Sequence, residues 1–339
     1  MKVLIIGGTG TISSPIASAL ANDSSVELFI LNRGKRKSEK LDGVNYLIGD
    51  IKDVEGIKEI LKDYSFDVVI NFLIMDENDA RNNYELFKDK TKQFIFISTV
   101  VVLNSPNDCI IDENSEIGNN YSLYGRNKAK AEKYFLDKYK NDNFNVVIVR
   151  PSQTYSDSRI PLSVKGKNYW GVVSRMIRGK KVIIHGDGQS VWSATHADDF
   201  VKGFIPLVGN EKVNGEIFQI MNTEIFTWDE VYMILADLLD VEYKPVYISS
   251  DILLHSKKYD LLSSIQGDKR WSKIFDISKI QCVSDFECEI SLKEGLKMYL
   301  DYMDNHPEEK VEDEEFDNWC DNTIAIYEKY SALISEEIE

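Results

Sequence analysis

The sequence predicts an α/β fold, a doubly wound parallel sheet with a smaller, mostly helical C-terminal lobe. Short, nearly continuous apolar runs alternate with helical patterns through the first part of the chain. This alternation is typical of parallel strands whose sheet is covered by helices on both faces. After Pro151 the alternation stops, and from Thr227 onward the chain is mainly helical. Right-handed crossovers between the strands then give a doubly wound order.

The predicted strands of the first part are the apolar runs at 3–6, 26–31, 44–48, 67–72, 93–98 and 145–149. The helical patterns between them lie at 12–21, 54–61, 76–88 and 122–139. A helical segment at 169–178 interrupts a loop-rich stretch, and a strand at 216–221 completes the sheet. Thr227 is the expected cap of the next helix, because Asp229 and Glu230 place negative charge in its first turn.

The composition argues against several classes of protein. With 56 acidic and 40 basic residues the formal net charge is −16, which disfavours nucleic acid or an anionic membrane as a partner. The longest apolar runs are too short to span a bilayer, and the first strand follows Met1 directly. We therefore expect a cytoplasmic protein with no signal peptide and no membrane segment.

The cysteines and histidines are scattered and show no metal-binding spacing. Neither CxxC nor HExxH occurs. We expect reduced cysteines and no metal site, with a disulfide or zinc as the alternative. The cysteines concerned are Cys109, Cys282, Cys288 and Cys320.

A glycine-rich turn follows the first strand and precedes a helix. Gly7, Gly10 and Ser13 have the spacing G-x-x-G-x-x-S. Gly7 would make the tight turn, Gly10 would let the backbone approach a pyrophosphate, and a small Ser13 would let the helix pack closely. Unpaired N–H groups at the helix start attract the phosphates. We predict a dinucleotide site here, with a plain turn as the alternative, and expect cofactor contacts from Gly7, Thr9, Gly10, Thr11 and Ile12.

The end of the second strand indicates which dinucleotide binds. An acidic residue there would accept hydrogen bonds from the adenosine ribose and favour NAD. The sequence instead has Asn32 and Arg33, followed by Lys35 and Arg36. A guanidinium can pair with a 2′-phosphate, so we predict NADP, with NAD open and a solvated basic loop as the alternative reading.

Asp50 follows the third strand and could accept a hydrogen bond from the adenine amino group, with Ile51 beside it. A simple role for Asp50 and Asp53 in the turn and the helix start is the alternative. Both acids lie in the stretch Gly49-Asp-Ile-Lys-Asp53.

Tyr124 and Lys128 are four residues apart on one predicted helix, so their side chains share a face. A lysine ammonium near a phenol favours the phenolate and lowers its pKa. The tyrosine could then exchange a proton with a substrate hydroxyl. Ser98 and Thr99 end an apolar strand upstream and would add a hydroxyl at the ligand-binding edge of the sheet. The alternative is a partly buried tyrosine and a surface lysine.

Together these residues resemble the extended short-chain dehydrogenase/reductase family, in its NAD(P)-dependent sugar epimerase/dehydratase group. Further shared motifs are Arg150-Pro151, Gly186-Asp-Gly188 and Asp198-Asp199. The resemblance implies a Rossmann-like domain with Thr99 as the catalytic hydroxyl, Tyr124 as the acid/base and Lys128 as the ribose-binding lysine. It also implies that Phe72, Leu73 and Ser98 lie along the cofactor and that Pro151 flanks the nicotinamide.

Two departures from the family pattern bear on the substrate. The 4,6-dehydratases place Asp-Glu after the catalytic threonine, whereas Val100 and Val101 follow Thr99. The arginine that clamps a nucleotide-sugar pyrophosphate is replaced by Trp192. The basic residues that could take its place are Arg159, Lys165, Lys167, Arg175 and Arg178.

We therefore predict an NAD(P)-dependent epimerase or oxidoreductase that acts on a sugar-like alcohol, possible substrates including nucleotide sugars. The expected substrate contacts are Thr99, Tyr124, Trp192 and His196. One alternative is an NADP(H)-dependent reductase or dehydrogenase of a small carbonyl or alcohol. Another is a cofactor-sensing or RNA-associated binding protein with a vestigial site. We expect residues 1–158 with 191–225 to bind the dinucleotide, and 159–190 with 226–339 to form the substrate lobe; a homodimer is a family expectation.

Overall fold

The computed structural model of the protein describes residues 1–35, 40–104 and 110–338. Arg36 of the predicted basic loop and Cys109 lie outside these ranges. The chain forms two compact units. Unit 1 comprises Met1–Thr154, Thr195–Thr223 and Phe275–Glu289, and unit 2 comprises Tyr155–Ala194, Glu224–Ile274 and Ile290–Glu339. The assignment of cofactor and substrate binding to separate parts of the chain stays a prediction.

In chain order the first elements are β1 (Lys2–Ile6), α1 (Ser13–Ala21), β2 (Glu27–Asn32), β3 (Asn45–Ile48), α2 (Val54–Ile60), β4 (Phe66–Asn71), α3 (Glu77–Phe87), β5 (Thr91–Ile97), α4 (Leu123–Asp142), β6 (Val146–Pro151) and β7 (Gln153–Tyr155). They are followed by α5 (Trp170–Ile177), β8 (Val182–His185), β9 (Val191–Trp192), β10 (Ala194–His196), α6 (Ala197–Phe204), β11 (Ile217–Ile220), β12 (Phe226–Thr227), α7 (Trp228–Leu239), β13 (Pro245–Ile248), α8 (Ser250–Leu253), a π-helical segment (Leu262–Lys269), α9 (Ser278–Ser284), α10 (Leu292–Asn305) and α11 (Glu314–Ile338).

The centre of unit 1 is a seven-stranded sheet in the order β11-β6-β5-β4-β1-β2-β3. Neighbouring strands are parallel throughout this sheet. The chain passes from β1 outward to β3 and then resumes on the other side of β1 with β4. This is the doubly wound topology, and the prediction of fold class is confirmed. Ligands bind such sheets at the carboxyl ends of the strands, where the order reverses.

The strands are apolar on both faces because helices cover the sheet. Val3 to Ile6 of β1 are fully buried. One side of the sheet carries an aromatic cluster in which Phe94 of β5 packs against Phe135 of α4 with ring centroids 5.2 Å apart. Burial of this kind supplies most of the stabilising free energy of a domain. It also holds α4 at a set position against β5.

Unit 2 contains short strands that the sequence did not predict. β8 pairs in parallel with β13, and β9 pairs antiparallel with β12. Each is four residues or shorter and finds its partner far along the chain, so local periodicity carries no signal for it. The predicted cap at Thr227 is confirmed: its hydroxyl accepts from the Glu230 N–H while Glu230 accepts from the Thr227 N–H.

Across the described ranges, no helix has the length and apolar character needed to cross a bilayer.

Candidate active site

The glycine turn after β1 lies against the ends of two neighbouring strands. Gly7 has φ +117° and donates its N–H to the Leu31 carbonyl of β2 at 3.0 Å. A Cβ placed on Gly7 would lie 3.4 Å from Cβ of Phe72 and 3.7 Å from the Leu73 side chain. These distances are ordinary van der Waals contacts, so it is the positive backbone angle that requires glycine here. The structure thus brings Gly7, Phe72 and Leu73 together.

Ser13 does more in the turn than supply a small side chain. Its hydroxyl oxygen accepts the Gly10 N–H at 2.7 Å. The N-terminus of α1 has Ile12 as its capping residue, with no side-chain cap and no acid in the first turn. Its positive end is thus left for an anion. These features, with Thr9 and Thr11 in the same loop, fit the pyrophosphate of a dinucleotide.

Asn32, Arg33 and Asp50 lie together at the ends of β2 and β3. The Asn32 side-chain oxygen accepts the Gly34 N–H at 2.8 Å, and Arg33 Nη1 is 4.0 Å from Asp50 Oδ2. Asp50 also accepts the Lys52 N–H at 3.1 Å, so it makes the turn contact that the sequence left open. The next residue, Ile51, is buried. Arg33 and Asp50 are both well exposed, so their mutual attraction is weak.

Asn71 is a positioning residue that sequence reasoning did not single out. It ends β4 fully buried, donates to Asn83 Oδ1 of α3 at 2.7 Å and accepts the Leu73 N–H at 2.7 Å. It therefore shapes the segment that faces Gly7. A polar residue ending the apolar run of β4 was the available signal.

Ser98 and Thr99 follow β5 at the same edge of the sheet. The Ser98 N–H donates to the Val149 carbonyl at 2.7 Å, and its buried hydroxyl has no hydrogen-bond partner in the described part of the chain. Thr99 Oγ1 accepts the Val101 N–H at 3.2 Å. The Thr99 hydroxyl can still donate its own proton. It heads a 3₁₀ turn over Val100–Val102.

A close contact between that turn and the first turn of α4 brings Thr99 and Tyr124 into one region. Ser122 caps α4 by accepting the Gly125 N–H at 3.1 Å. A Cβ on Gly125 would lie only 2.2 Å from the Val101 carbonyl oxygen, and Asn119 donates to that oxygen at 3.0 Å. Gly125 was also missed, although a glycine next to the candidate tyrosine was visible in the sequence.

The predicted Tyr124–Lys128 pair has one exposed and one buried member. Tyr124 is 38% exposed, whereas Lys128 is 2% exposed. Lys128 Nζ lies 5.8 Å from the centroid of the Tyr124 ring and donates to the Ile97 carbonyl at 2.8 Å. The lysine is thus not a surface side chain. It is held between the tyrosine and the strand that leads into Thr99.

Burial lowers the pKa of Lys128 to about 8, and the nearby negative charges of Glu132 and Asp79 act in the opposite direction. Desolvation of an ammonium disfavours its charged form. At neutral pH the group still carries its proton. A charged ammonium beside Tyr124 is the arrangement that favours a phenolate.

Glu132 continues the same face of α4, eight residues after Tyr124, and was not singled out from the sequence. It forms a buried bidentate ion pair with Arg150 of β6, at 3.0 Å from Oε1 to Nε and 2.6 Å from Oε2 to Nη2. Arg150 also donates to the Glu113 carbonyl at 3.1 Å. The pair ties α4 to the sheet next to Pro151, which ends β6 buried.

The two other predicted substrate residues are both buried. His196 caps α6, its Nδ1 accepting the Asp198 N–H at 3.3 Å. Trp192 belongs to unit 2, where its ring lies 6.0 Å from that of Trp228, with Lys273 Nζ 4.9 Å above it. The structure therefore groups Trp192 with an aromatic core and His196 with a helix cap. Their contacts with substrate stay predictions.

Five basic residues of unit 2 were candidates to replace the family's pyrophosphate-binding arginine. Three of them form ion pairs with acidic residues near the C-terminal end of the chain. Arg175 pairs with Asp321 at 2.8 Å, Lys167 pairs with Glu315 at 2.6 Å, and Arg178 pairs with Asp317. Burial acts to raise the pKa of Asp317, but hydrogen bonds from Lys180 and Arg178 and the charge of Arg175 lower it to about 2. Arg159 and Lys165 are arranged differently: the Arg159 guanidinium carbon lies 5.8 Å and Lys165 Nζ 4.7 Å from the centroid of the Tyr169 ring.

Within the described ranges, no group of histidine, cysteine and acidic side chains is placed to hold a metal ion.

Three comparisons relate the chain to known proteins. It is 25% identical to dTDP-D-glucose 4,6-dehydratase of Dictyostelium discoideum over 265 residues, which cover 66% of this chain and 60% of that protein. It is 22% identical to CDP-paratose 2-epimerase of Salmonella typhi over 353 residues, which cover 89% of this chain and 99% of that protein. UDP-glucuronic acid 4-epimerase of Bacillus cereus, solved with UDP-glucuronic acid and NAD, has the same fold, with a TM-score of 0.72 and 20% identity over 90% of this chain and all of that one.

The matched stretch thus spans less than two thirds of the Dictyostelium protein. The sequence model of the NAD dependent epimerase/dehydratase family matches residues 3–220. This range is more than half of the chain and includes the glycine turn and the helix that carries Tyr124 and Lys128. The resemblance found in the sequence is confirmed. The chain belongs to the NAD dependent epimerase/dehydratase family.

Proposed function

We propose that this protein is an NAD(P)-dependent enzyme that oxidises and reduces a sugar-like alcohol, and that its net reaction is epimerisation. The observation that carries the proposal is the position of Lys128. Its ammonium lies 5.8 Å from the Tyr124 ring centroid and donates at 2.8 Å to the carbonyl of Ile97, the last residue of the strand that leads into Thr99. Burying an ammonium costs free energy, so a buried charge beside a candidate acid/base residue indicates a functional role.

In this proposal Tyr124, as the phenolate, takes the proton of the substrate hydroxyl while the carbinol carbon loses hydride. A nicotinamide dinucleotide held along the glycine turn would supply the hydride acceptor and later the hydride donor. Thr99 donates a hydrogen bond to the reacting oxygen. For epimerisation the ketone would rotate in the site, so that the returned hydride would add to its opposite face, and Tyr124 would give the proton back to the oxygen. Lys128 keeps the phenolate accessible near neutral pH.

The cofactor would lie along the glycine turn, with Phe72, Leu73 and Ser98 beside it. The uncapped start of α1 and the positive φ of Gly7, which makes the tight turn out of β1, support this placement. The family description and the Bacillus cereus relative favour NAD. Arg33, with no acid at the tip of β2, is the argument for NADP. The choice between the two rests on Arg33 and is tested below.

The relatives include both dehydratases and epimerases, and the residues after Thr99 favour an epimerase. Elimination of water needs an acid and a base beside the keto sugar. Val100 and Val101 provide neither, and Val100 is buried. An NADP(H)-dependent reductase of a small carbonyl or alcohol would use the same three residues. A cofactor-sensing or RNA-associated protein is the third hypothesis, and the net charge of −16 argues against RNA.

The test is turnover of a panel of UDP-, dTDP- and CDP-sugars, followed by NMR, with wild type, Tyr124→Phe and Tyr121→Phe. Tyr121 is a matched control because it is nearby and equally exposed. We expect Tyr124→Phe alone to abolish turnover. Bound cofactor that does not exchange supports an epimerase, whereas freely exchanging NADPH supports a reductase. Failure to bind either dinucleotide at micromolar concentration contradicts the proposal. A homodimer and a cytoplasmic location remain predictions for sedimentation and cell fractionation.

A further inference from the structure

A buried acid shares a helix face with the lysine of the proposed site in unit 1. Glu132 follows Lys128 by four residues on α4, so the two side chains lie on one face of the helix. Lys128 is 2% and Glu132 1% exposed. The Glu132 carboxylate is bound by Arg150 of β6, at 3.0 Å from Nε and 2.6 Å from Nη2. Lys128 thus has an acid beside it that is already bound to another base.

Without Arg150, an ion pair between Lys128 and Glu132 is the expected arrangement. Lysine and glutamate at this helical spacing attract each other, and a buried charge without a partner costs free energy. Here the planar guanidinium contacts both carboxylate oxygens. The Lys128 ammonium instead lies 4.9 Å from the centroid of the Phe96 ring and 5.8 Å from that of Tyr124. Arg150 therefore withholds Glu132 from the lysine and leaves the ammonium beside Tyr124.

Arg150 is itself fixed in place. It is 2% exposed and donates from Nη1 to the Glu113 carbonyl at 3.1 Å. The Glu113 carboxylate in turn accepts the Gln219 N–H of β11 at 2.9 Å. The guanidinium is thus held by α4 on one side and by the segment around Glu113 on the other. It has no freedom to turn away from Glu132 while this packing persists.

The charges around Lys128 act in a definite order. Burial lowers the pKa of Lys128 to about 8, against Glu132 and, more weakly, Asp79 of α3, which both act to raise it. Asp79 is partly exposed, and its carboxylate accepts the Met75 N–H at 2.9 Å. Glu132 is therefore the main counter-charge of the ammonium. The positive charge of Arg150, on the far side of Glu132, limits that effect.

We propose that Glu132 and Arg150 are positioning residues that together hold the Lys128 ammonium charged and beside Tyr124. Glu132 supplies the negative potential that keeps the proton on the lysine. Arg150 keeps Glu132 from forming a direct ion pair that would draw the ammonium away from the tyrosine. The effect of the pair on turnover rests on the proposed function, whereas its effect on the charge of Lys128 does not.

The test follows the titration of Lys128 by NMR in protein labelled with ¹³C at the lysine Cε, without substrate. Lys128→Met identifies the signal, and the wild-type midpoint is expected near pH 8. Glu132→Gln should lower the midpoint by about one pH unit or more, whereas Arg150→Met should raise it. The double variant Glu132→Met with Arg150→Met should fall between Glu132→Gln and wild type, because both charges are removed and Glu132 is the nearer. A merely structural role would not move the midpoint in opposite directions.

Matched variants separate the charge of Glu132 from its packing. Asp137→Asn removes an exposed acid of the same helix and should leave the midpoint unchanged. Glu132→Asp keeps the charge and should return the midpoint close to that of wild type. Equal midpoints in wild type and Glu132→Gln, or a shift in the same direction in both single variants, overturn the inference. If the single variants do not fold, an unchanged midpoint in the double variant has the same meaning.

The pH dependence of turnover distinguishes this inference from the proposed function. The loss of turnover at alkaline pH should follow the Lys128 midpoint, so Glu132→Gln should retain about fivefold less activity than wild type at pH 8. Unshifted midpoints, with turnover that still requires Tyr124, overturn the role of the pair alone. Shifted midpoints in a protein whose turnover survives Tyr124→Phe overturn the proposed function instead.

Discussion

Lys128 Nζ donates a hydrogen bond of 2.8 Å to the carbonyl oxygen of Ile97, the last residue of β5. The contact joins the helix that carries Tyr124 to the strand that leads into Thr99. All three proposed catalytic residues therefore depend on how α4 packs against the edge of the sheet.

Replacing Lys128 should separate activity from stability. Lys128→Met should abolish turnover, because Tyr124 loses the charge that favours its phenolate. The folded-state pKa of Lys128, about 8, lies below its unfolded value of 10.5. Below pH 8 the folded state therefore carries the full free-energy cost of burying the charged ammonium, and this cost disappears as the pH rises to 10.5. The variant should thus gain stability at pH 7, at most about 3 kcal/mol before the lost hydrogen bond is deducted. Urea unfolding at pH 7 and pH 10 measures this, and an equal difference at both values contradicts the prediction.

The contact between Gly125 and Val101 can be tested by adding one methyl group. Helix propensity alone favours alanine over glycine by about 1 kcal/mol. Gly125→Ala would place Cβ 2.2 Å from the Val101 carbonyl oxygen, so we expect a loss of about 1–3 kcal/mol instead. The clash would displace the neighbouring Tyr124, so we expect the turnover rate to fall even under conditions in which the variant is fully folded. Lys130→Ala, at an exposed position on the same helix, is the control, and a stabilised Gly125→Ala would contradict the contact.

The buried pair of Glu132 and Arg150 should be strongly coupled. Glu132→Met or Arg150→Met alone leaves a buried charge uncompensated and should cost about 3–5 kcal/mol. The double variant Glu132→Met with Arg150→Met should be less destabilised than the sum of both, as a double-mutant cycle measures. The exposed Lys58–Glu55 pair on α2 is the control and should show a coupling of about 1 kcal/mol or less. If the changes in unfolding free energy at Glu132 and Arg150 are additive, the ion pair does not link α4 to β6.

The cofactor prediction depends on Arg33. Arg33→Ala should weaken NADPH binding about tenfold or more while changing NADH binding little, because only NADPH offers a 2′-phosphate. Fluorescence titration with each cofactor measures the two affinities. Lys35→Ala controls for the general loss of positive charge in this loop. Equal effects of Arg33→Ala on both cofactors contradict the NADP preference and leave NAD, as the family description has it.

The main strands and helices of unit 1 were predictable because their signals are local. The buried run of β1 and the periodicity of α4 are both readable within single windows. The Tyr124–Lys128 pair was visible for the same reason, since four residues of helix place both on one face. β8 and β13 were not predictable, because each is four residues long and pairs only after the chain has folded back. Asn71, Gly125 and Glu132 were missed because their partners lie on other elements.

For some residues the local sequence does not show which side chains they contact in the folded protein. Of the cations considered as replacements for the family arginine, Arg175, Arg178 and Lys167 pair with acids more than a hundred residues away. Arg159 and Lys165 were left without such acids, and nothing in the local sequence distinguishes the two groups. Trp192 is a similar case, since its burial beside Trp228 follows from the pairing of β9 with β12.

The sequence by itself determined the doubly wound sheet, the glycine turn and the family to which the chain belongs, because backbone pattern and motif spacing are local properties. Only the tertiary structure decided that Lys128 is buried with its ammonium on the Ile97 carbonyl, that Glu132 is neutralised by Arg150, and that Arg159 and Lys165 share one tyrosine. Burial and the pairing of charges depend on which distant segments meet, and both set the free energy of a charged group more strongly than its neighbours along the chain do.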